Sequence, residues 1–429
     1  MIPEHDDVAP LVLLANFASP VPASLDASEA VRGWSEQAPR KVWLTRPGDV
    51  LVSPVPIPED FRRYAGGLLG FPHETVEVVV VPDLPGTGMP EAVRRHGLGG
   101  TLQDLARRHP GTRLLPLVLD GAAVALAAEL GIQVFPFASG RPGAGVLGAV
   151  DRLNTKTGFR AVARERGIRM PEGQVCQGAE VPGAVARMVS RFGRVVVKAD
   201  RSAGGVGMRF VSRGDPAAGA EPDGTGLWVV ERCVQYTKEV SVQCVVEAAG
   251  PRVVFSGEML THDASFTGYR SPLRDVPAEV IAELHAWGVA LGQHLADHGY
   301  AGPYSIDALL DDDGTLHATE SNVRRTATTT PQAMVTRLGH AAGRPAPAWL
   351  IAKRTARTPH TLTQAVRRLD TTGLAYGSTH GEGVVLYAGG AARPSGAGTH
   401  WRYAVMGPDR PRIEELEREL AAVLDLVEP

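Results

Sequence analysis

Runs of consecutive apolar residues recur along the first third of the chain. They lie at residues 11–14, 42–44, 76–81 and 114–119. Strands that are covered on both faces are apolar on consecutive positions, so these runs predict a parallel sheet. Residues 121–131 have the composition of a short helix after one of the runs, as in alternating βα units. We therefore expect a doubly wound α/β domain over residues 1–150.

A second pattern begins at Asp151, with helical spacing through Arg166 and a stop at Gly167. Strands are expected at 194–198 and 227–231, a loop at 214–226, and paired strands at 240–246 and 253–257. A long helix follows, and its apolar face is formed by Val280, Leu284, Trp287, Leu291 and Leu295. This unit is expected to span residues 151–338.

The last pattern predicts a small α+β unit over residues 339–429. We expect a strand at 383–387, a glycine-rich loop at 389–399 and a final helix. The apolar stripe of that helix is Ile413, Leu416, Leu420 and Val423.

Composition narrows the class of protein. The formal net charge is -3, which argues against a protein that tracks nucleic acid. Three cysteines without CxxC spacing argue against a disulfide framework or a structural zinc site. The start of the chain lacks the basic segment of a signal peptide, and no apolar run is long enough to cross a membrane. We expect a cytoplasmic protein with no membrane partner.

The strongest candidate chemistry lies in two acidic segments, 304–310 and 316–322, joined by the turn Asp311-Asp312-Asp313-Gly314. These segments predict a hairpin. Alternate side chains of a strand share a face, so Glu320 and Asn322 point the same way and Asp307 can lie beside them. Two carboxylates and an amide oxygen suit Mg²⁺. An ordinary polar hairpin with solvated acids is the alternative.

Two further segments could bind a nucleotide. In the first, an apolar strand ends at Lys198 and leads into Ser202, Gly204 and Gly205, where backbone N–H groups and a lysine can meet phosphate. A tight turn with a surface lysine is the alternative. In the second, a strand leads into a connector that can offer backbone groups to a flat heterocycle. That connector comprises Glu231, Arg232, Cys233 and Val234, with Glu239 beyond it for ribose hydroxyls.

The order of these features, together with Lys156, resembles the ATP-grasp superfamily across roughly residues 151–335. The resemblance implies two α+β lobes that clamp ATP, preceded by a pre-ATP-grasp domain. It implies that Lys156 and Lys198 contact phosphates or adenine, that residues 231–234 lie at the adenine and Glu239 at the ribose. It likewise implies that Asp307, Glu320 and Asn322 hold one or two Mg²⁺ ions, for which Mn²⁺ could substitute.

A narrower resemblance, to the pheganomycin-type peptide ligases, comes from residues 320–326, residues 153–156 and the separate C-terminal piece. It implies that an amino-acid-like carboxylate is joined to the amino group of a peptide in natural-product biosynthesis. Many ATP-grasp ligases have an arginine two residues before the first metal aspartate, where this chain has Ser305. Arg324 or Arg325 is therefore expected to supply the catalytic cation.

The predicted reaction is phosphorylation of the acid by ATP, followed by attack of the amine on the acyl phosphate. His262, Arg270, Arg274 and His380 are weaker candidates for contacts with the carboxylate and peptide substrates. Three alternatives stay open: a phosphotransferase on the same scaffold, another carboxylate–amine ligase acting on small amino acids, and a nucleotide-binding module without turnover. A homodimer is one option for the oligomeric state.

Overall fold

The structure is a computed structural model that describes residues 9–22, 33–82, 84, 86–137, 141–202, 208–215, 226–262, 265–377, 379–392 and 399–427. In these ranges the α-helices are α1 (Glu59–Leu69), α2 (Met89–Arg95), α3 (Gly99–Arg107), α4 (Gly121–Leu130), α5 (Ala144–Leu153), α6 (Lys156–Glu165), α7 (Val181–Phe192), α8 (Ala278–Asp297), α9 (Thr329–Ala341), α10 (Leu362–Thr372) and α11 (Arg410–Val423). The first strands are β1 (Leu11–Leu14), β2 (Val50–Ser53), β3 (Glu77–Val80), β4 (Arg113–Pro116), β5 (Gln133–Val134), β6 (Gly173–Gln177), β7 (Arg194–Ala199), β8 (Met208–Ser212) and β9 (Leu227–Arg232). The remaining strands are β10 (Tyr236–Glu247), β11 (Gly250–His262), β12 (Ser265–Ser271), β13 (Gly302–Asp311), β14 (Leu316–Asn322), β15 (Ala348–Ala356), β16 (Gly383–Ala392), β17 (Thr399–Gly407) and β18 (Leu426–Val427).

The N-terminal unit contains a parallel five-stranded sheet in the order β3-β2-β1-β4-β5. Every residue of β1 and β2 is buried, as expected for strands covered on both faces. Crossover helices, among them α4, connect successive strands. The predicted doubly wound α/β arrangement is confirmed.

One of the predicted strands in this unit is wrong. Residues 42–44 belong to a 3-10 helix, Ala38–Leu44, which has Pro39 in its first turn. Proline presets the backbone φ angle that opens a helix, and three apolar residues are too few to decide between helix and strand. The chain instead places β2 a few residues later, where Leu51 pairs with Leu13 of β1.

A small lobe follows, built on the antiparallel sheet β6-β9-β7-β8 with α7 packed against it. Its core is separate from the main core and is formed largely by valines and one tryptophan. These include Val181, Val185, Val195, Val197, Val211, Val230 and Trp228. The two strands predicted at 194–198 and 227–231 are confirmed as β7 and β9, which pair with each other.

The largest sheet has the order β14-β13-β10-β11-β12-β15-β17-β16, and β18 pairs with β15. The predicted pairing of β10 with β11 and the predicted hairpin β13–β14 are confirmed. The sheet runs without interruption from the hairpin to the C-terminal strands, across the predicted boundary at residue 338. That boundary stays a prediction.

The segment 151–166, where the sequence predicted continuous helical spacing, contains the end of α5 and the whole of α6. A single continuous helix over this segment is therefore wrong. The break falls at Asn154 and Thr155. The Asn154 side chain donates to Val150 O at 2.7 Å, and Thr155 Oγ1 caps α6 by accepting from Gly158 N at 3.0 Å. Asparagine and threonine bond readily to nearby backbone in this way and so favour helix ends.

Two predicted loops lie largely outside the described residues. Of the loop 214–226, residues 216–225 lie outside the described residues. The glycine-rich segment 389–399 begins as strand, because β16 continues to Ala392, and residues 393–398 lie outside the described residues. Among the helices that the structure describes, none has the length and apolar character needed to cross a membrane.

Helix α8 packs on the large sheet through Gly292, and this close approach generates a stability prediction. A Cβ at Gly292 would lie 1.9 Å from Tyr304 Oη and 2.4 Å from Pro251 Cβ. We expect Gly292→Ala to lower the free energy of unfolding by about 1–3 kcal/mol, the usual cost of overpacking. The midpoint of urea-induced unfolding, compared between variant and wild type, measures this loss of stability.

The matched control is Gly148→Ala in helix α5, where a Cβ meets nothing within 4 Å. There alanine should leave the midpoint unchanged or raise it, since glycine costs about 1 kcal/mol in a helix. Equal midpoints for Gly292→Ala and the wild type would contradict the packing described for α8.

Candidate functional site

The hairpin of β13 and β14 places three oxygen-bearing side chains together. Asp307 lies directly opposite Glu320, and Asn322 lies opposite Ser305, two positions along the same face. Asn322 Nδ2 donates to Asp307 Oδ2 at 3.0 Å. The sequence predicted that these three side chains meet, and in the structure they do.

The charge of Glu320 disfavours the ionised form of Asp307. Burial, and after it the charge of Glu320, raise the pKa of Asp307 to about 7, although a hydrogen bond with Ser241 and the charge of Arg324 act in the opposite direction. The Lys156 ammonium lies 3.8 Å from Glu320. Burial is the main cause that lowers the pKa of this lysine. The pair is therefore only partly compensated by the protein's own cations.

This donor set fits a hard divalent cation. Mg²⁺ takes one or two carboxylates and keeps oxygen ligands from water and phosphate. The Oδ1 atom of Asn322 receives no hydrogen bond from the described residues, so it is available to a cation. In the described part of the chain no group of three or more His, Cys, Asp and Glu side chains is placed to hold a metal. The candidate metal site therefore consists of two acids and an amide.

Arg324 reaches this site because of the break between α5 and α6. Its Nη1 donates to Asn154 Oδ1, which also accepts from the backbone of Val323 at 3.3 Å. The Coulombic attraction of Glu320 and Asp307 partly offsets the lowering of the Arg324 pKa by burial. Asn154 thus fixes the position of the arginine relative to the acids.

Lys156 opens α6 and points to the same place. Its Nζ donates to Ser202 Oγ at 2.8 Å, and its backbone N–H donates to Asp200 O at 2.9 Å. The lysine therefore bridges the hairpin and the turn that follows β7. Gly204 and Gly205, which the sequence singled out in that turn, lie outside the described residues.

A second charged group lies in the small lobe. Lys198 on β7 forms an ion pair with Glu231 on the neighbouring β9, and Arg160 Nη1 contacts the other carboxylate oxygen of Glu231 at 3.1 Å. Glu231 is buried, and a buried acid requires such partners. Arg232, Cys233 and Val234 follow on the connector to β10.

Glu239 lies on the opposite wall, on β10. Its Oε1 accepts from Tyr236 Oη at 2.6 Å and from Thr261 Oγ1 at 3.0 Å. One carboxylate oxygen is thus held in place, and among the described residues no hydrogen bond reaches Oε2, which is available to a hydroxyl group.

The three candidate metal ligands, Lys156, Arg324, the Lys198–Glu231 pair and Glu239 line one cavity of about 520 Å³ between the small lobe, the large sheet and the N-terminal unit. Lining residues that the sequence predicted are Lys156, Lys198, Ser202, Glu231, Arg232, Cys233, Val234, Glu239, Asp307, Glu320, Asn322, Arg324 and Arg325. Lining residues that the sequence reasoning missed include Trp34, Gln37, Arg40, Ser241, Gln243 and Arg402.

A signal for part of the missed set was present. Glu239, Ser241 and Gln243 are polar at every second position of β10, between Val240 and Val242. Such alternation marks one face of a strand. Arg402 and Arg40 come from β17 and from the helix Ala38–Leu44, which only the folded chain brings to the cavity.

Four weaker candidates lie away from this cavity. Arg270 belongs to an ion-pair group with Glu258, at 3.1 Å, and Glu414, at 3.3 Å. His262, Arg274 and His380 are exposed and are not among the cavity-lining residues. Their predicted contacts with substrates stay predictions.

Ser305 lies on the cavity wall beside Asn322. It is buried, and its Oγ has no hydrogen-bond partner in the described part of the protein. Arg325, in contrast, is one residue beyond Arg324, and its backbone N–H donates to Leu117 O of the N-terminal unit at 3.0 Å. The two arginines therefore occupy different places: Arg324 near the acids and Arg325 at the border with the N-terminal unit.

Comparisons with known proteins bear on the fold. A family profile for the pre-ATP-grasp domain matches residues 38–132, and one for the PGM1 C-terminal domain matches residues 364–420. A search of curated proteins gave no match.

Several solved structures are similar over almost the whole chain. A biotin carboxylase from Campylobacter jejuni has a TM-score of 0.61 at 13% identity, covering 98% of this chain and 92% of its own. An N5-carboxyaminoimidazole ribonucleotide synthetase from Thermus thermophilus has a TM-score of 0.59 at 15% identity, covering 98% of this chain and 99% of its own. A carboxyaminoimidazole ribonucleotide synthase from Aspergillus clavatus, complexed with ATP, has a TM-score of 0.56 at 15% identity, covering 97% of this chain and 98% of its own. The chain has the ATP-grasp fold, with an N-terminal pre-ATP-grasp domain and a C-terminal α+β domain.

The paired acids generate a prediction about Mg²⁺. If Asp307 and Glu320 hold the cation, millimolar Mg²⁺ should raise the melting temperature of the wild type, because a ligand of the native state alone stabilises it. Asp307→Asn should remove that shift, since it takes away a charged ligand. Thermal unfolding with and without MgCl₂ measures both.

Asp313→Asn, in the exposed turn of the same hairpin, is the control and should keep the full shift. If Mg²⁺ raised the melting temperature of Asp307→Asn as much as that of the wild type, the cation would have to bind elsewhere.

Proposed function

We propose that this protein is an ATP- and Mg²⁺-dependent ligase that joins a carboxylic acid to an amine through an acyl phosphate. The observation that carries the proposal is the convergence of Asp307, Glu320 and Asn322 with Lys156 in one cavity. That cavity continues to Lys198, Glu231 and Glu239. The ATP and ADP bound in structures of the same fold, such as the Aspergillus synthase, support it.

The residues divide into three roles along the cavity. The small-lobe connector from Glu231 to Val234 would border the adenine, and Glu239 would accept from ribose hydroxyls. Lys156 and Lys198 would neutralise phosphate charge. Asp307, Glu320 and Asn322 would hold Mg²⁺, which supplies charge stabilisation on phosphate oxygens when bound.

The reacting carboxylate is a poor electrophile in water, and transfer of the γ-phosphoryl group activates it. Arg324 is the residue of this chain best placed to stabilise the charge of that phosphorylated acid, because Asn154 holds it beside the acids. The amine then attacks the carbonyl carbon, an amide forms, and phosphate leaves with the oxygen that it received from the acid.

The size of the site supports a second organic substrate. The cavity extends past the metal end to Trp34 and Gln37 of the N-terminal unit and to Arg402 of the C-terminal domain. We therefore propose an amino-acid-like carboxylate as the donor and the amino group of a peptide as the acceptor, in the biosynthesis of a natural product. Incubation with Mg-ATP and a matrix of such acids and short peptides, with products identified by mass spectrometry, tests the choice.

The first prediction concerns the metal ligands in turnover. Glu320→Gln should lower the rate of ATP consumption by about 100-fold or more. Loss of a charged ligand forfeits several kcal/mol of transition-state stabilisation, and each 1.4 kcal/mol is about tenfold in rate. A coupled ADP-release assay measures the rate, with circular dichroism as the check on folding. Turnover within twofold of the wild type would remove Glu320 from the proposed role, and Asp313→Asn again serves as the control.

The second prediction separates the ligase from a phosphotransferase on the same scaffold. Hydroxylamine added during turnover should give a hydroxamate of the acid substrate, because it attacks an acyl phosphate. A kinase would give a stable phosphate ester and no hydroxamate. A nucleotide-binding module would release no ADP with any acceptor.

A further inference from the structure

Part of the cavity wall outside the metal hairpin is basic. Arg40 and Arg325 line it together with Arg402. Lys41 follows Arg40 in the chain, is buried, and lies against Phe17, which lines the cavity. Burial, and after it the charges of Arg40 and Arg325, lower the pKa of Lys41. The pKa of Arg40 is lowered by burial and also by the charge of Arg402, whereas Tyr387 raises it. We call these four residues the basic end.

No carboxylate compensates these charges in the part of the chain that the structure describes. Arg40 Nη2 donates to Gln37 Oε1 at 2.6 Å, and Lys41 Nζ donates to Thr330 Oγ1 at 2.5 Å. Lys41 also lies 4.7 Å from the centre of the Phe17 ring. All of these partners are neutral.

Three of the four side chains are buried, and Arg402 is partly exposed, so the lack of an acid is costly for Arg40, Lys41 and Arg325. Arg40 is 3% exposed, Lys41 1% and Arg325 4%. Burial lowers the pKa of Arg40 and of Arg325 to about 10. An unpaired buried charge destabilises the folded state, and neutral side chains of similar size would remove that cost. Buried cations that line a cavity without an acid partner point to a ligand of opposite charge.

The orientation of Arg40 supports a ligand in the cavity. Its Nε is buried and has no hydrogen-bond partner among the described residues, although the guanidinium lines the cavity wall. An anion in front of it would satisfy that donor. Guanidinium groups suit carboxylate and phosphate because they donate in a fixed fork.

We propose that the basic end binds an anionic group that a substrate carries in addition to the carboxylate that reacts, either a second carboxylate or a phosphate. This proposal rests on the proposed ligase function, because it takes the bound anion to be part of a substrate of that reaction. The phosphates of ATP are met at the other end by Lys156 and Lys198, and Arg324 stands at the reacting group. Arg325 and the three cations beyond it then remain for another anion.

The test is isothermal titration of the full-length protein with glutarate, with its monomethyl ester and with inorganic phosphate, each in the presence of Mg-ADP. Wild type should bind glutarate or phosphate at least tenfold more tightly than the ester, which carries one charge. Tighter binding of glutarate identifies a carboxylate, and tighter binding of phosphate identifies a phosphate group. Failure of both to bind would overturn the proposal.

Two variants link binding to the basic end. Arg40→Met and, separately, Arg402→Met should each weaken binding of the preferred anion at least tenfold. Arg40→Met should also raise the melting temperature without ligand, because an uncompensated buried charge is lost. A purely structural arginine would instead lower the melting temperature and leave anion affinity within twofold, which would contradict the proposal.

Arg63→Met is the control for loss of a positive charge. Arg63 lies on helix α1, is 66% exposed and pairs with Glu59. It should change neither anion affinity nor melting temperature, since exposed ion pairs contribute little.

Titration with Mg-ATP separates the two proposals. If Mg-ATP binds and neither anion does, the basic end is not an anion site and the ligase proposal is untouched. If glutarate or phosphate binds and Mg-ATP does not, the anion site stands and the ligase proposal fails.

Discussion

Two acidic side chains face each other across the hairpin β13–β14, and the arrangement around them depends on their repulsion. Asp307 and Glu320 are neighbours in register, and burial together with Glu320 makes ionisation of Asp307 unfavourable. The protein supplies Lys156 and Arg324 as partial compensation. One helix break positions both cations, since Lys156 opens α6 and Asn154, just before it, accepts a hydrogen bond from Arg324. A divalent cation would complete the balance of charge.

The same place is where the parts of the chain are joined. Ser321 Oγ donates to Leu153 O at 2.6 Å, which ties the hairpin to the end of α5. Lys156 N donates to Asp200 O of the small lobe, and Arg325 N donates to Leu117 O of the N-terminal unit. The first and third of these bonds hold the hairpin and the residues after it against α5 and the N-terminal unit, and the second holds α6 against the small lobe. A substrate in the cavity would therefore contact elements from each of the three units, with Arg402 as the contribution of the C-terminal strands.

The sequence predicted the site best where chemistry follows local pattern. Alternation along two short strands was enough to bring Asp307, Glu320 and Asn322 together, because register follows from the turn between them. Lys198 and Glu231 were found separately, but their ion pair depends on the pairing of β7 with β9, which local pattern does not specify. Residues 42–44 were read as strand, although Pro39 indicates a helix start. The basic end could not be foreseen, because Arg40 and Arg402 are 362 positions apart in the chain and meet only through the packing of a 3-10 helix against the C-terminal strands.

The central claim is that the acid substrate is phosphorylated on its carboxylate before the amide forms. Transfer of oxygen tests it most directly: the acid identified as substrate is labelled with ¹⁸O in both carboxylate oxygens, and the released phosphate is analysed by mass spectrometry. The account predicts that one labelled oxygen appears in the phosphate and the other stays in the amide. Phosphate that contains no label, with amide formation proceeding, would contradict it.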